Sequence, residues 1–187
     1  MGPMTTCSPQ VTMIQQKNNA TCWLASCRMM YKWKYPSYMP VYDEVNDPGL
    51  DNEPKDAVLK KLWDAANADS RVDLWTWMAA GIDTPDALPL ARAMGMKWGG
   101  GGKLEAWQFA DAISQWGPLL AIGSWNTRSH VLVVTGAEQT DDESKASAHK
   151  LDLKNPWPGG MQTGTVFWYN GGLGSWASVS GQNMHWG

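Results

Sequence analysis

No apolar stretch in the chain approaches the ~20 residues that carry a helix across a bilayer, so a membrane-spanning helix is not expected. Basic runs are also missing, and the net charge of −3 argues against an electrostatically driven nucleic-acid partner. No basic-then-apolar leader is present, so export by the general secretory route is not expected. Cysteines number only three. That odd count builds no disulfide framework and leaves either three free thiols or a Cys7–Cys27 pair with Cys22 left over. No cysteine pair has ligand spacing and the acidic residues do not cluster with the histidines, so neither a metal nor any other cofactor is expected. The glycines from Gly99 to Gly102 are followed by Lys103-Leu104 rather than by a lysine and a hydroxyl residue. They predict a hinge or turn, not a phosphate loop.

What is present fits one globule. At 187 residues, with 43% hydrophobic and 18% charged residues, the chain predicts a single domain over 1–187. Residues 1–15 read as an extended arm, with an alternation at Val11, Met13 and Gln15, and residues 176–187 as a tail. Thirteen tryptophans are many for this length, and some are expected at grooves and partner surfaces. Helical spacing predicts a buried central helix from Cys22 to about Lys34 and further helices over Pro54–Ala66, Thr84–Met94 and Leu104–Trp116. Val72–Met78 alternates and reads as a short extended piece, and residues 36–52 as a surface loop. After Pro118 the texture changes to β-branched runs at Leu119–Ser124, Val131–Thr135, Lys150–Leu153 and Thr165–Tyr169, with a polar hairpin loop over 138–147. Helices first and strands second predict an α+β body.

The chemistry concentrates in Q-K-N-N-A-T-C-W-L-A-S-C-R, residues 16–28. Cys22 stands where cap-forming residues (Asn18, Asn19, Thr21) give way to the helix, and the dipole's positive end is expected to lower its thiol pKa. Gln16 can offer an amide donor to an oxyanion beside the Cys22 N–H. Cys27 lies five residues on, about 140° around the helix, and reads as core. A thiol nucleophile needs a base and an orienting group. His130 opens an apolar strand at a sheet end, whereas His149 and His185 sit beside a loop and in the tail. Asn155 closes the next strand, with Trp157 able to cover its hydrogen bond from water.

Gln16, Cys22-Trp23, His130 before an alternating strand, and Asn155-x-Trp157 resemble, in order and texture, the papain-like cysteine proteases. The segments C-W-L-A-S, G-P-L-L-A-I-G, S-H-V-L-V-V-T-G and N-P-W-P are most similar to the compact bacterial branch typified by the AvrRpt2-type secreted effector proteases. The resemblance implies a papain-like fold, in which an N-terminal helical part with a central catalytic helix packs on a C-terminal antiparallel sheet. It places the oxyanion glutamine on Gln16, the nucleophile on Cys22, the base on His130 and the orienting residue on Asn155. Trp23 and Trp157 become the expected substrate contacts. The bacterial branch often has aspartate as the orienting group, and Asp152 is a weaker substitute on the other strand face.

The implied activity is peptide-bond hydrolysis through an acyl-enzyme, on a protein substrate in the cytoplasm of a target cell. Delivery would use a specialised system, and with no inhibitory propeptide before Cys22 the restraint is expected from a cognate immunity protein, from an activating factor in the target cell or from release out of a larger precursor. Rival readings on the same fold are a transglutaminase or deamidase, a peptidoglycan amidopeptidase, and an inactive papain-like binding module.

Overall fold

A computed structural model describes residues 2–41, 53–101, 103–125, 128–138, 149–170 and 182–186. Its centre is helix α1 (Cys22–Lys34), whose residues from Cys22 through Met30 are all buried. A helix buried all round must satisfy its polar side chains internally. Ser26 does so by donating to the Val131 carbonyl at 3.1 Å, and Arg28 by an ion pair to Asp56 at 3.2 Å and a bond to the Val41 carbonyl at 3.1 Å. Asp56 also caps α2 (Ala57–Ala68), accepting from the Val58 and Leu59 N–H groups, and it accepts from the Tyr38 hydroxyl at 2.8 Å. One buried carboxylate thus ties α1, α2 and the segment between them.

Three further helices follow: α3 (Leu74–Ala80), α4 (Ala87–Met94) and α5 (Ala106–Trp116). A 3₁₀ turn at Thr84–Asp86 leads into α4, and Pro89 is tolerated because it lies in the first turn, where N–H groups lack helical acceptors. The stop of α5 is Gly117, with φ +79° and the Trp33 ring so close that a Cβ would lie 2.3 Å from it. Both the left-handed backbone and the close approach require glycine there.

The strands are β1 (Met4–Thr6), β2 (Lys97–Gly101), β3 (Leu119–Trp125), β4 (Arg128–Glu138), β5 (Lys150–Lys154), β6 (Thr163–Thr165) and β7 (Gln182–His185), with the short helix α6 (Val166–Tyr169) after β6. They form one antiparallel sheet in the order β2-β7-β3-β4-β5-β6, with β1 pairing β4. Helices packed on an antiparallel sheet are the expected α+β architecture, and α1 lies against β3 and β4.

Several local expectations are corrected. Val72–Met78 is not extended: Asp73 accepts from the Thr76 N–H and starts α3. The second helix begins at Ala57, behind the Asp56 cap, rather than at Pro54. Lys97–Gly101 is a bulged strand paired with β7, not a turn. Thr165–Tyr169 is a strand end followed by a helical turn, because the Thr165 hydroxyl caps the Trp168 N–H. Part of the supposed tail, Gln182–His185, is an interior strand. The arm pairs through Met4–Thr6 instead of the alternation at Val11–Gln15. All three cysteines are free and buried, so Cys7 and Cys27 are not paired. Most of the 36–52 loop and of the 138–147 loop lies outside the described residues.

Candidate active site

Cys22 is the first residue of α1, and only 6% of its surface is exposed. Burial pushes its thiol pKa up, against the lowering effect of hydrogen bonding from the backbones of Val131, Trp23 and Cys22 itself. The expectation of a thiol held low by the helix dipole is therefore corrected: desolvation of a nearly enclosed sulfur outweighs the local donors. The Val131 contact also locates the sulfur, since Val131 follows His130 on β4. Ser26, one turn along α1, bonds the same residue's carbonyl, so the start of α1 is pinned to the start of β4.

His130 stands opposite Gly123 on β3, a neighbour with no side chain to compete for the space. Its Nε2 lies 2.8 Å from Asn155 Oδ1. Burial pushes the imidazole pKa down from the ordinary value, and the Asn155 hydrogen bond pulls it partly back. Both shifts favour the neutral forms, thiol and imidazole, over a resting ion pair.

Asn155 follows β5 directly. Its Oδ1 also accepts from the Trp157 N–H at 3.0 Å, and its backbone meets the Gln162 side chain. The Trp157 ring is 40% exposed. From the neighbouring Pro156, the carbonyl accepts from the Gln16 N–H at 2.9 Å, which joins the Asn155 loop to the segment leading into Cys22. Gln16 is buried, and its Nε2 donates to the Asn18 carbonyl at 2.7 Å. That bond fixes which end of the amide is which, because the reverse orientation would set two oxygens against each other. Its Oε1 is buried without a partner.

Cys22, His130, Asn155 and Gln16 are thus linked through Val131, through Asn155 Oδ1 and through Pro156. Trp23 is not part of this surface. It is fully buried, packs edge-on against Trp77 at 5.7 Å and donates its Nε1–H to the Trp77 carbonyl at 3.0 Å. The expectation that it contacts substrate is corrected: one step along the helix from Cys22 turns the Trp23 side chain into the core. Asp152, on β5, lies against Gly136 of β4, and Asn155, not Asp152, is the partner of His130. His149 and His185 are both buried, and His185 stacks on Trp116 at 4.0 Å.

Three further residues shape the site, and of these the sequence singled out only Asn18, as a cap-forming residue before Cys22. Asn18 organises the turn before Cys22, its Oδ1 accepting from the Ala20 N–H at 2.9 Å and its carbonyl from Thr21. Gln162 bonds the Asn155 backbone, and Gly160 lies so close that a Cβ there would be 2.7 Å from the Asn155 carboxamide. Only the Asn18 position carried a local signal, as a turn-forming residue. The other two act through a loop closure that spacing does not reveal.

A protein-family model described as papain-like cysteine protease AvrRpt2 matches residues 5–173 of the chain. No curated protein matches it.

Proposed function

The chain belongs to the AvrRpt2 family of papain-like cysteine proteases, and from that premise we propose that Cys22, His130, Asn155 and Gln16 are its catalytic set, hydrolysing peptide bonds within a target-cell protein. The observation that supports this most is the 2.8 Å contact between His130 Nε2 and Asn155 Oδ1, on a strand whose next backbone unit meets the Cys22 sulfur. With Nε2 engaged by Asn155, Nδ1 is the nitrogen left to serve the thiol.

Because burial favours neutral partners, the sulfur attacks with general-base help rather than from a standing thiolate. His130 Nδ1 takes the Cys22 proton as the S–C bond forms, and the carbonyl π pair moves onto oxygen. The Cys22 N–H and the second Nε2 hydrogen of Gln16 stabilise that oxyanion. His130 then gives the proton to the leaving nitrogen as the C–N bond breaks. Water enters, its proton goes to His130 as the C–O bond forms, and collapse breaks the C–S bond as His130 returns the proton to sulfur. Asn155 keeps the ring plane aimed throughout. Trp157, exposed beside the pair, covers the His130–Asn155 bond and lines the approach.

The family is one of bacterial effectors acting in host cells. We place the substrate in the cytoplasm of the recipient cell, delivery with a specialised secretion route, and restraint with a cognate inhibitor encoded nearby. The exposed rings of Trp75, Trp98, Trp107 and Trp116 offer such an inhibitor apolar anchors.

The test compares wild type with Cys22→Ala by mapping new protein N-termini in recipient cells. Neo-N-termini that appear with wild type and vanish with the variant are expected. Equal cleavage by both proteins overturns the assignment of Cys22. A 1:1 complex with the adjacent gene product is the corresponding expectation for the inhibitor.

A further inference from the structure

We propose that Gln162 is a positioning residue for His130, acting through Asn155. The inference rests on the catalytic reading above and extends it to a residue that touches neither substrate nor sulfur. The loop from Asn155 to Gln162 is short and rich in proline and glycine, and the aim of Asn155 Oδ1 depends on how its backbone is held.

The Gln162 side chain grips that backbone from both sides. Its Oε1 accepts from the Asn155 N–H at 3.3 Å, while its Nε2 donates to the Asn155 carbonyl at 3.2 Å and to the Gly160 carbonyl at 2.9 Å. The grip has a firm base, because the Gln162 carbonyl accepts from the Leu153 N–H on β5 at 2.8 Å. A single amide therefore spans the strand end and both ends of the loop. Any one of these exposed bonds is worth little, but three on one planar group leave the Asn155 peptide few alternatives.

Gly160 closes the other side. It donates its N–H to the Trp157 carbonyl at 2.8 Å, and the space where its Cβ would stand already belongs to the Asn155 carboxamide. Asn155 is confined between Gly160 and the Trp157 N–H, with its oxygen directed at His130. Gln162 is itself exposed and borders a cavity of about 260 Å³ shared with Gln10, Cys7 and Asp152. Removing its amide leaves no void in the core, so the fold should survive the loss while the aim does not.

The readout is kinetic. Gln162→Ala is expected to lower kcat on the order of tenfold with KM unchanged, the scale at which small misplacements of a catalytic group are felt. From α1 the titratable group that reaches this end of β4 is Cys22, through the Val131 backbone, and Asp83 reaches β4 through Ser129 at 2.7 Å. Neither changes in the variant. Loss of a well-aimed Asn155 removes the bond that raises the His130 pKa, so the acid limb of kcat/KM should move to lower pH. Gly160→Ala should reproduce both effects, since its methyl displaces the same carboxamide. Gln10→Ala, in the same cavity wall, should behave as wild type.

Wild-type kcat and an unmoved acid limb in both Gln162→Ala and Gly160→Ala, with Cys22→Ala and His130→Ala inactive, would overturn the role of Gln162 and leave the catalytic set standing. So would a loss fully accounted for by a lower melting temperature or fewer titratable active sites. Activity in Cys22→Ala would overturn the catalytic reading itself.

Discussion

At the scale of single residues, the decisive balance is between burial and local donors at Cys22 and His130. The helix start and the backbone N–H groups favour thiolate, yet enclosure of the sulfur pushes its pKa above the ordinary thiol value, and enclosure of the ring pushes His130 below its ordinary 6.5. The signs fix a pH dependence. A histidine with a lowered pKa is neutral, and able to act as base, from below pH 6.5 upward; a thiol with a raised pKa is protonated across the same range. Alkylation of Cys22 by iodoacetamide should therefore climb with pH into the alkaline range without an acidic plateau, while the acid limb of peptidase activity should have its midpoint below the ordinary histidine value of 6.5. A flat alkylation rate from pH 4 to 8 would instead reveal a standing ion pair. Cys22, His130 and Asn155 could be singled out in the sequence as candidates because each stands at a local signature, a helix start, an apolar strand and an Asn-Pro turn, although β4 begins at Arg128, two residues ahead of His130. Trp23 was misread because adjacency to Cys22 says nothing about direction, and one step along a helix turns a side chain about 100°. Gln162 and Gly160 were invisible because their contacts are made by a loop folding back on itself.

At the scale of elements, caps and buried charges decided what periodicity could not. The alternating tryptophans of Val72–Met78 suggested a strand, but Asp73 supplies an acceptor to the Thr76 N–H and the segment coils. Helices α1 and α5 were readable because their apolar residues recur over a long enough stretch, and Gly117 stops α5 for a reason visible in sequence as Gly-Pro. The Asp56 hub was not readable. Its partners Arg28, Tyr38, Val58 and Leu59 come from three segments, and its side chain is fully buried. Replacing it by alanine removes the Asp56 carboxylate from the buried Arg28 and the cap from α2. Breaking a buried pair in this way costs about 3–5 kcal/mol, so Asp56→Ala should lower the urea midpoint strongly, even though Asp56 plays no part in the chemistry. Asp56→Asn, which keeps an acceptor for the cap and the tyrosine, should fall between the two. Equal stability of Asp56→Ala and wild type by urea unfolding would show the hub to be incidental.

For the whole molecule, the order of strands in the sheet is what ties the two halves of the chain together. Helices first and strands second was a correct outline, but β2 comes from the helical half and β7 from the far end, and β7 lies between β2 and β3. Such pairing between segments distant in sequence leaves no periodic trace, which is why Gly99–Gly102 read as a hinge and the C-terminal residues as a tail. The consequence is testable. Met184 is fully buried on β7, and Asn183 there accepts from the buried Tyr169 hydroxyl at 2.6 Å. Removing residues 182–187 would uncover two strand edges at once, take the Asn183 acceptor from the buried Tyr169 hydroxyl and separate β2 from β3. A true tail could be lost without effect on the sheet. An interior strand cannot, so the shortened chain should lose cooperative urea unfolding and its near-ultraviolet tryptophan signal, and Cys7 and Cys27 should become as reactive to thiol reagents as Cys22. If the shortened chain still unfolded in one sharp transition with Cys27 protected, the sheet would have to close without β7, and the C-terminal segment would return to being an appendage.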